Sequence, residues 1–260
     1  TVVIPLYRRW DFILGHVAGF CQDPWFHEQR VRLLYVIDDP TITTEVLGWC
    51  RGQLRDELLD VTVIALQRNS GFALACNNGV LAADTPEVCL LNSDVLPIQP
   101  GWLQPLFRTR LMVPEAMVAP LLLTDEGRIQ HAGMTAQPLG LGDLPACVHS
   151  LKGLDPQQLK ALSPDGLPYD VELLSGAALM FERKRFLELG GFDPVFGRGD
   201  FEDLDFSLRW RQAGGRLQLV PSARLTHLER QSITHQQDPL TQWRGVLNAW
   251  QAKQLCPELA

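Results

Sequence analysis

The protein has 260 residues, of which 46% are hydrophobic, and a formal net charge of −7 at pH 7. This length and apolar content are sufficient for one large α/β domain with a buried core. The negative charge argues against a nucleic-acid partner, because phosphate backbones bind clustered lysines and arginines. No run of about 18 apolar residues occurs, so we predict no membrane span and leave open only peripheral contact with a membrane.

The first half alternates short apolar runs with helical patterns. The runs cover residues 2–6, 33–37, 61–66 and 88–91, and we predict helices over 43–59 and 71–81. Strands that are apolar on both faces are typical of a parallel sheet covered by helices on both sides. The pattern therefore predicts an α/β fold with a Rossmann-like, doubly wound mixed sheet.

The second half begins with a segment over 124–170 that is rich in glycine and proline, in which we expect loops and a short hairpin. Such long loops are often functional, so this segment is a candidate lid over the bound ligand. Next we predict a strand over 171–181, a short helix over 183–189, a helix over 203–213 and a strand over 217–220. A last helix, from residue 238, places Trp243, Leu247 and Trp250 at helical spacing, and we expect it to pack on the domain.

Polar residues follow several predicted strands. Ligands of doubly wound sheets bind beyond the carboxyl ends of the strands, so Tyr7, Asp38, Asn69 and Asp94 are expected to share one edge. Asp94 directly follows an apolar run and is a candidate ligand for a divalent cation that bridges two phosphates. The alternative for Asp94 is an ordinary turn or helix cap.

Four carboxylates lie within six residues at the start of the predicted helix 203–213. Their mutual repulsion requires a nearby positive charge or a helix N-terminus. Asp203 falls in the first turn, where its carboxylate is a candidate base for an attacking hydroxyl. The alternative is a solvated acidic cap with an Asp205–Arg209 pair. His227 is a candidate manganese ligand, although a single histidine is more often structural.

The order of these motifs along the chain is more specific than any one of them. They read VVIPLYRR from residue 2, VIDD from 36, NSGFA from 69, LNSD from 91, IQHAG from 129, SGA from 175, GGFD from 190 and FEDLD from 201, followed by His227. This series resembles glycosyltransferase family 2, whose fold is GT-A, and is most similar to its rhamnosyltransferase-like members. The resemblance covers about residues 1–235.

The resemblance implies a role for each matching residue. Asp203 would be the catalytic base with Glu202 beside it, and Asp94 and His227 would hold a divalent cation, Mn²⁺ or Mg²⁺. Ser175 and Gly176 would form a loop beside donor and acceptor. The nucleotide would contact six residues: Pro5, Tyr7, Asp38, Asn69, Asn77 and Asn92.

The same resemblance implies an inverting transfer from a UDP- or dTDP-sugar to the hydroxyl of a saccharide or a lipid-linked acceptor in bacterial surface polysaccharide synthesis. It also implies a nucleotide-binding half, 1–123, and an acceptor-binding and catalytic half, 124–235, followed by a helical extension, 236–260. Arg8, where the family usually has Asn, and Leu74 to Cys76, which replace small residues, put the identity of the donor in doubt.

Two other functions remain open from the sequence. A sugar-phosphate nucleotidyltransferase would need a glycine-rich basic loop after the first strand, but no glycine occurs before Gly15. The second open function is that of a catalytically silent domain that binds a nucleotide or a carbohydrate. The sequence begins with Thr1 and not with an initiator methionine, so we expect it to be a domain of a longer protein. The sequence has no apparent signal peptide and no C-x-x-C pair among its six cysteines, so we expect free thiols and a cytoplasmic location.

Overall fold

The computed structural model describes residues 1–54, 59–139, 143–197, 199–229 and 239–256. One mixed sheet of ten strands forms the centre of the molecule, with the order β10-β12-β6-β11-β4-β1-β2-β3 and with β5 and β7 attached to β12 and β6. The strands are β1 (Val2–Leu6), β2 (Arg32–Ile37), β3 (Asp60–Ala65), β4 (Glu87–Leu91), β5 (Val95–Leu96), β6 (Ala116–Leu123), β7 (Ile129–His131), β8 (Met134–Leu139), β9 (Leu144–His149), β10 (Tyr169–Asp170), β11 (Ala178–Glu182) and β12 (Arg216–His227).

Helices cover both faces of this sheet, as the apolar runs predict. They are α1 (Ile13–Cys21), α2 (Pro24–Glu28), α3 (Thr43–Gln53), α4 (Phe72–Ala82), α5 (Leu103–Met112), α6 (Arg183–Glu188), α7 (Glu202–Gln212) and α8 (Pro239–Leu255), with 3₁₀ turns at Pro156–Ala161 and Pro194–Phe196. None of the helices among the described residues is long and apolar enough to cross a bilayer.

The first four strands of the doubly wound part run parallel. β1 pairs with β2 and β4, and β2 pairs with β3, all in parallel register. Helix α4 packs closely on this part because Gly79 has no side chain: a Cβ there would lie 2.2 Å from Cγ1 of Val3. The parallel arrangement brings the residues that follow β1, β2 and β4 to one edge of the sheet.

The second half of the chain extends the same sheet. β11 runs antiparallel to β4, whereas β12 runs parallel to β6. An aromatic cluster fills the layer between this part of the sheet and α7, with ring centroids 4.6 to 6.5 Å apart. This packing fixes α7, and therefore Asp203, relative to the sheet. The members of the cluster are Phe181, Phe186, Phe192, Phe206 and Trp210.

The expected hairpin within 124–170 is confirmed: β8 and β9 pair antiparallel from Met134 opposite His149 to Leu139 opposite Leu144. The sheet contains strands from both predicted halves. The division at 123 and the boundary at 235 stay predictions, and the second of these lies outside the described residues.

Three predicted elements differ by several residues from the observed ones. The helix predicted over 43–59 ends at Gln53, where Leu54 turns to an extended conformation. The strand predicted over 171–181 is regular only as β11, because the amide of Gly176 donates to a side chain instead of a neighbouring strand. The strand predicted over 217–220 continues as β12 to His227, which therefore ends the strand and does not follow it.

The last helix packs on the domain, as expected, but not through the stripe that contains its tryptophans. Trp243 is 71% exposed and Trp250 is 52% exposed. The buried face of α8 instead carries Asn248, Ala249 and Ala252, and it packs against β9 and α7. Helical spacing is confirmed, but the spacing alone does not reveal which face lies inward.

Candidate active site

A cavity of about 490 Å³ opens at the carboxyl ends of the first parallel strands. Tyr7 and Asn69, both predicted from the sequence, lie in its wall. This volume is within the range typical of small-molecule sites. The guanidinium of Arg8 lies 5.2 Å from the ring centroid of Tyr7 and adds a positive charge to the wall. The remaining lining residues are Asp39, Thr41 and Ile42.

Asp38, the predicted base or ribose contact, holds the loop that forms one side of this cavity. Its carboxylate accepts hydrogen bonds from the amide and hydroxyl of Ser70, both at 2.7 Å, and from the amide of Gly71 at 2.9 Å. Gly71 has a φ of +89° and precedes α4, so the carboxylate supports a turn that favours glycine. A contact of Asp38 with nucleotide stays a prediction, and the neighbouring Asp39 is the residue that lines the cavity.

Three further residues are predicted to contact the nucleotide, namely Pro5, Asn77 and Asn92. Pro5 pairs with Val36 within the sheet, next to Tyr7. The amide of Asn77 is held by the backbone of Phe192, to which it donates at 2.7 Å and from which it accepts at 2.9 Å. Oδ1 of Asn92 is buried and has no hydrogen-bond partner among the described residues. Binding of nucleotide by these three residues stays a prediction.

The two predicted metal ligands lie together. β5 pairs with the end of β12 so that His227 is opposite Val95, the residue after Asp94. Nε2 of His227 lies 3.4 Å from Oδ1 of Asp94, and the two residues are only 8% and 6% exposed. Nδ1 of His227 is buried and has no hydrogen-bond partner among the described residues. The sequence separates these residues by more than a hundred positions, and strand pairing joins them.

This pair fits a divalent cation that shares its coordination with a ligand. One carboxylate and one imidazole are donors that suit manganese, and two ligands of an octahedral ion are separated by about 3 Å. No group of three or more candidate ligands occurs among the described residues. Within the described part of the chain, Asp94 and His227 would supply two donors, and phosphate oxygens of a ligand could supply others.

The predicted base, Asp203, occupies the first turn of α7. Its Oδ2 accepts a hydrogen bond from the amide of Gly176 at 2.9 Å, and its Oδ1 accepts one from the amide of Leu204 at 2.8 Å. A side chain at 176 would crowd this contact, because a Cβ there would lie 3.3 Å from Cβ of Asp203. The backbone thus fixes the orientation of this carboxylate.

Burial raises the pKa of Asp203 above its ordinary value, although the hydrogen bonds from Gly176 and Leu204 act in the opposite direction. Burial also raises the pKa of Glu202 well above its usual range, and the negative charge of Asp203 adds to this effect. Oε2 of Glu202 is buried and has no hydrogen-bond partner among the described residues. A raised pKa in a polar cleft is typical of a proton acceptor that works near neutral pH.

The Asp205–Arg209 pair, which was the alternative expectation for the acidic cluster, also forms in this helix. Arg209 donates to Asp205 at 2.9 Å, as expected for residues one helical turn apart. The same guanidinium donates to the carbonyls of Leu189 and Gly191. Asp205 and Arg209 therefore stabilise the fold, whereas Asp203 points toward the segment that contains Ser175 and Gly176.

This segment connects the base to the metal pair. The carbonyl of Ala177 accepts a hydrogen bond from the amide of Asn92 at 2.8 Å, two residues before Asp94. Gly176, the preceding residue, holds Asp203. Asp203 is therefore linked to the Asp94–His227 pair through the junction where β4 ends and β11 begins, and their action at one site stays a prediction.

Two histidines support the same segment from the other side. The amide of Ser175 donates to Nε2 of His131 at 3.4 Å, which leaves the ring proton on Nδ1 for donation to Nδ1 of His149, 3.2 Å away. Burial lowers the pKa of His131 well below its usual range and lowers that of His149 to about 4. His131 is fully buried, and His149 is its hydrogen-bond partner.

Solved structures share this arrangement of elements. GalNAc-T7, in a crystal structure with UDP, GalNAc and Mn²⁺, superposes with a TM-score of 0.71 at 19% identity, over 92% of this chain and 45% of that one. The chain has the GT-A glycosyltransferase fold. A mannosyltransferase from Pyrobaculum calidifontis, in complex with GDP-Man and Mn²⁺, has the same fold, with a TM-score of 0.61 at 14% identity over 97% of this chain and 68% of that one.

Sequence comparison agrees with the GT-A fold. Residues 1–111 match the model of Glycosyl transferase family 2. The pre-mycofactocin glycosyltransferase of Mycobacterium tuberculosis is 29% identical over 175 residues, which are 67% of this chain and 33% of the relative. A putative polypeptide N-acetylgalactosaminyltransferase from Drosophila melanogaster is 26% identical over 74% of this chain and 34% of the relative, so the chain spans about a third of the length of each of these two relatives.

Proposed function

We propose that the protein is a divalent-cation-dependent glycosyltransferase that moves a sugar from a nucleoside diphosphate to an acceptor hydroxyl with inversion at the anomeric carbon. The proposal rests on the Asp94–His227 pair and on the half-buried Asp203, whose partner Gly176 precedes the residue that bonds to Asn92 at the end of β4. A leaving-group site and a base are the two parts that such a transfer requires.

The donor would bind with its nucleoside in the cavity lined by Tyr7 and Asn69 and its diphosphate toward Asp94 and His227. When bound, the cation would neutralise the charge that develops on the diphosphate as the glycosidic bond breaks. Arg8 supplies a further positive charge at the cavity wall. Arg8, which stands where the family usually has Asn, would therefore help to hold an anionic donor.

Asp203 would accept the proton of the attacking hydroxyl. Its two hydrogen bonds to backbone amides fix the carboxylate, and burial raises its pKa, which makes it a stronger proton acceptor than an exposed aspartate. Attack by the hydroxyl on the face opposite the departing diphosphate, in a single displacement, inverts the anomeric centre. Glu202, at the same helix start, would contact the acceptor.

The finer assignments follow from the sequence. A UDP- or dTDP-sugar as donor, a saccharide or lipid-linked acceptor, and a place in bacterial surface polysaccharide synthesis are supported by the likeness to rhamnosyltransferase-like members. The solved structure with UDP, GalNAc and Mn²⁺ supports a uridine donor with manganese, whereas the mannosyltransferase complex contains a guanosine donor. The proposal therefore places UDP-sugars first.

The test is slow hydrolysis of donors in the absence of acceptor. The protein is incubated with UDP- and dTDP-sugars, with and without Mn²⁺, and release of free sugar and nucleoside diphosphate is measured. We expect manganese-dependent release that is lost in Asp94→Asn. Exchange of pyrophosphate into nucleoside triphosphate would instead indicate a nucleotidyltransferase, and binding without any release, with or without added saccharides, would indicate a silent domain.

A further inference from the structure

The backbone that leads into α7 has an unusual conformation. Gly197 and Gly199 have φ values of +65° and +129°, and the two residues that follow, Asp200 and Phe201, have φ values of +72° and +79°. Left-handed conformations are unfavourable for residues with a side chain, and two in succession require support from surrounding structure. Asp203 is only two residues beyond this turn.

One side chain from the last helix provides that support. Asn248 of α8 is 5% exposed. Its Nδ2 lies 3.0 Å from the carbonyl oxygen of Phe196, 2.8 Å from that of Gly199 and 3.1 Å from that of Asp200. The two N–H groups of one amide are therefore shared among three carbonyls of the turn. The contact with Phe196 is buried, where an unmet hydrogen bond is costly, and the contacts with Gly199 and Asp200 are partly buried.

Only an amide fits this position. A carboxylate of the same shape would place negative charge against three carbonyl oxygens, and an apolar residue would leave the carbonyls without their donor. Around the contact, Ala252 and Cys256 of α8 pack with Leu204 and Leu208 of α7 in one hydrophobic cluster. Packing holds the two helices together, whereas the amide of Asn248 determines the path of the turn.

We propose that Asn248 is a positioning residue, which fixes the left-handed turn before α7 and thereby aims the carboxylate of Asp203 at the acceptor. This inference rests on the proposed function, because it assigns to the C-terminal helix a part in the geometry of the base. It follows that α8 belongs to the catalytic unit.

The test compares Asn248→Asp with Asn78→Asp. Asn78 lies on α4, is exposed, and its Nδ2 donates to the carbonyl of Leu74 one turn earlier at 2.7 Å, so the control makes the same change in an amide that bonds within its own helix. For Asn248→Asp we expect turnover to fall about tenfold or more, since small displacements of a catalytic group are costly. The KM for donor and the affinity for Mn²⁺ should stay within about twofold, because the donor cavity and metal pair contact other elements. Asn78→Asp should leave turnover unchanged.

Hydrogen exchange in the intact protein gives a second readout that does not depend on activity. We expect faster exchange of the amides over 199–205 in Asn248→Asp and in the milder Asn248→Ala, with exchange over β1 to β4 unchanged. Three results would overturn the proposal. They are turnover within twofold of the original protein, a rise in donor KM as large as the fall in turnover, and faster exchange throughout the molecule. A protein with no transferase activity would refute the proposed function, while exchange over 199–205 would still decide whether Asn248 holds the turn.

Discussion

Replacement of Asp203 by asparagine tests the proposed base with little change in shape. The carboxylate now accepts one hydrogen bond at each oxygen, from Gly176 and Leu204. The amide of asparagine keeps one oxygen and turns an NH₂ group toward the other donor, so one bond is lost. The loss is about 1 to 3 kcal/mol for a charged acceptor, and removal of a buried charge offsets part of it.

The effect on turnover should be larger than the effect on stability. Base catalysis contributes about 10²- to 10⁴-fold, equivalent to about 3 to 5 kcal/mol of the barrier. A net stability change of about 1 kcal/mol corresponds to only about 2 to 4 °C in melting temperature for a chain of this size. We therefore expect Asp203→Asn to retain its fold and its binding of nucleoside diphosphate while turnover falls at least a hundredfold.

The assay measures nucleoside diphosphate release over a range of pH, with binding measured separately by thermal shift. Burial raises the pKa of Asp203, so activity of the original protein should rise with pH until the carboxylate is ionised. This acidic limb should disappear in the variant. Asp205→Asn, which removes a carboxylate that pairs with Arg209 in the same helix, is the control and should retain turnover. Turnover within tenfold of the original, or loss of nucleotide binding, would refute the assignment of Asp203 as the base.

Three further predictions concern neighbouring residues. Because burial raises the pKa of Glu202, ionisation of this carboxyl destabilises the fold. Glu202→Gln should therefore have a higher melting temperature than the original protein, and the difference should grow as pH rises above 4.5. A difference that shrinks with rising pH would contradict this. In a manganese titration of turnover, His227→Ala should raise the Mn²⁺ concentration needed for half-maximal turnover about tenfold or more. His27→Ala, at an exposed histidine, should leave that concentration unchanged. Gly176→Ala should lower turnover about tenfold with the donor KM unchanged, because its Cβ would lie 3.3 Å from that of Asp203; unchanged turnover would count against the contact.

Much of the site was predictable because it follows regular strands. Asp94 lies three residues after the end of β4 and Tyr7 directly follows β1, so the rule for doubly wound sheets predicts both at one edge. Asp203 was placed in the first turn of its helix by the stripe that contains Leu204 and Leu208, and the structure has it there.

The remaining features depend on contacts between distant segments. Strand β12 extends to His227 because it pairs with β6 and then with β5, and no local pattern reports that pairing. Asn248 carries no signal in the sequence, because its role depends on three backbone carbonyls some fifty residues away. The orientation of α8 was missed for a related reason: its inward face contains small and polar residues, while its tryptophans face outward.

The central claim is that Asp94 and His227 hold a cation that joins the donor diphosphate to the edge of the sheet. Thermal shift with UDP, dTDP and GDP, each with and without Mn²⁺, tests it most directly. A ligand at about a hundred times its Kd stabilises by about 2.7 kcal/mol, or about 5 to 10 °C here. We predict a shift of this size only when UDP and Mn²⁺ are present together, and its loss in Asp94→Asn. An equal shift without manganese, or none with any nucleotide, would contradict the account.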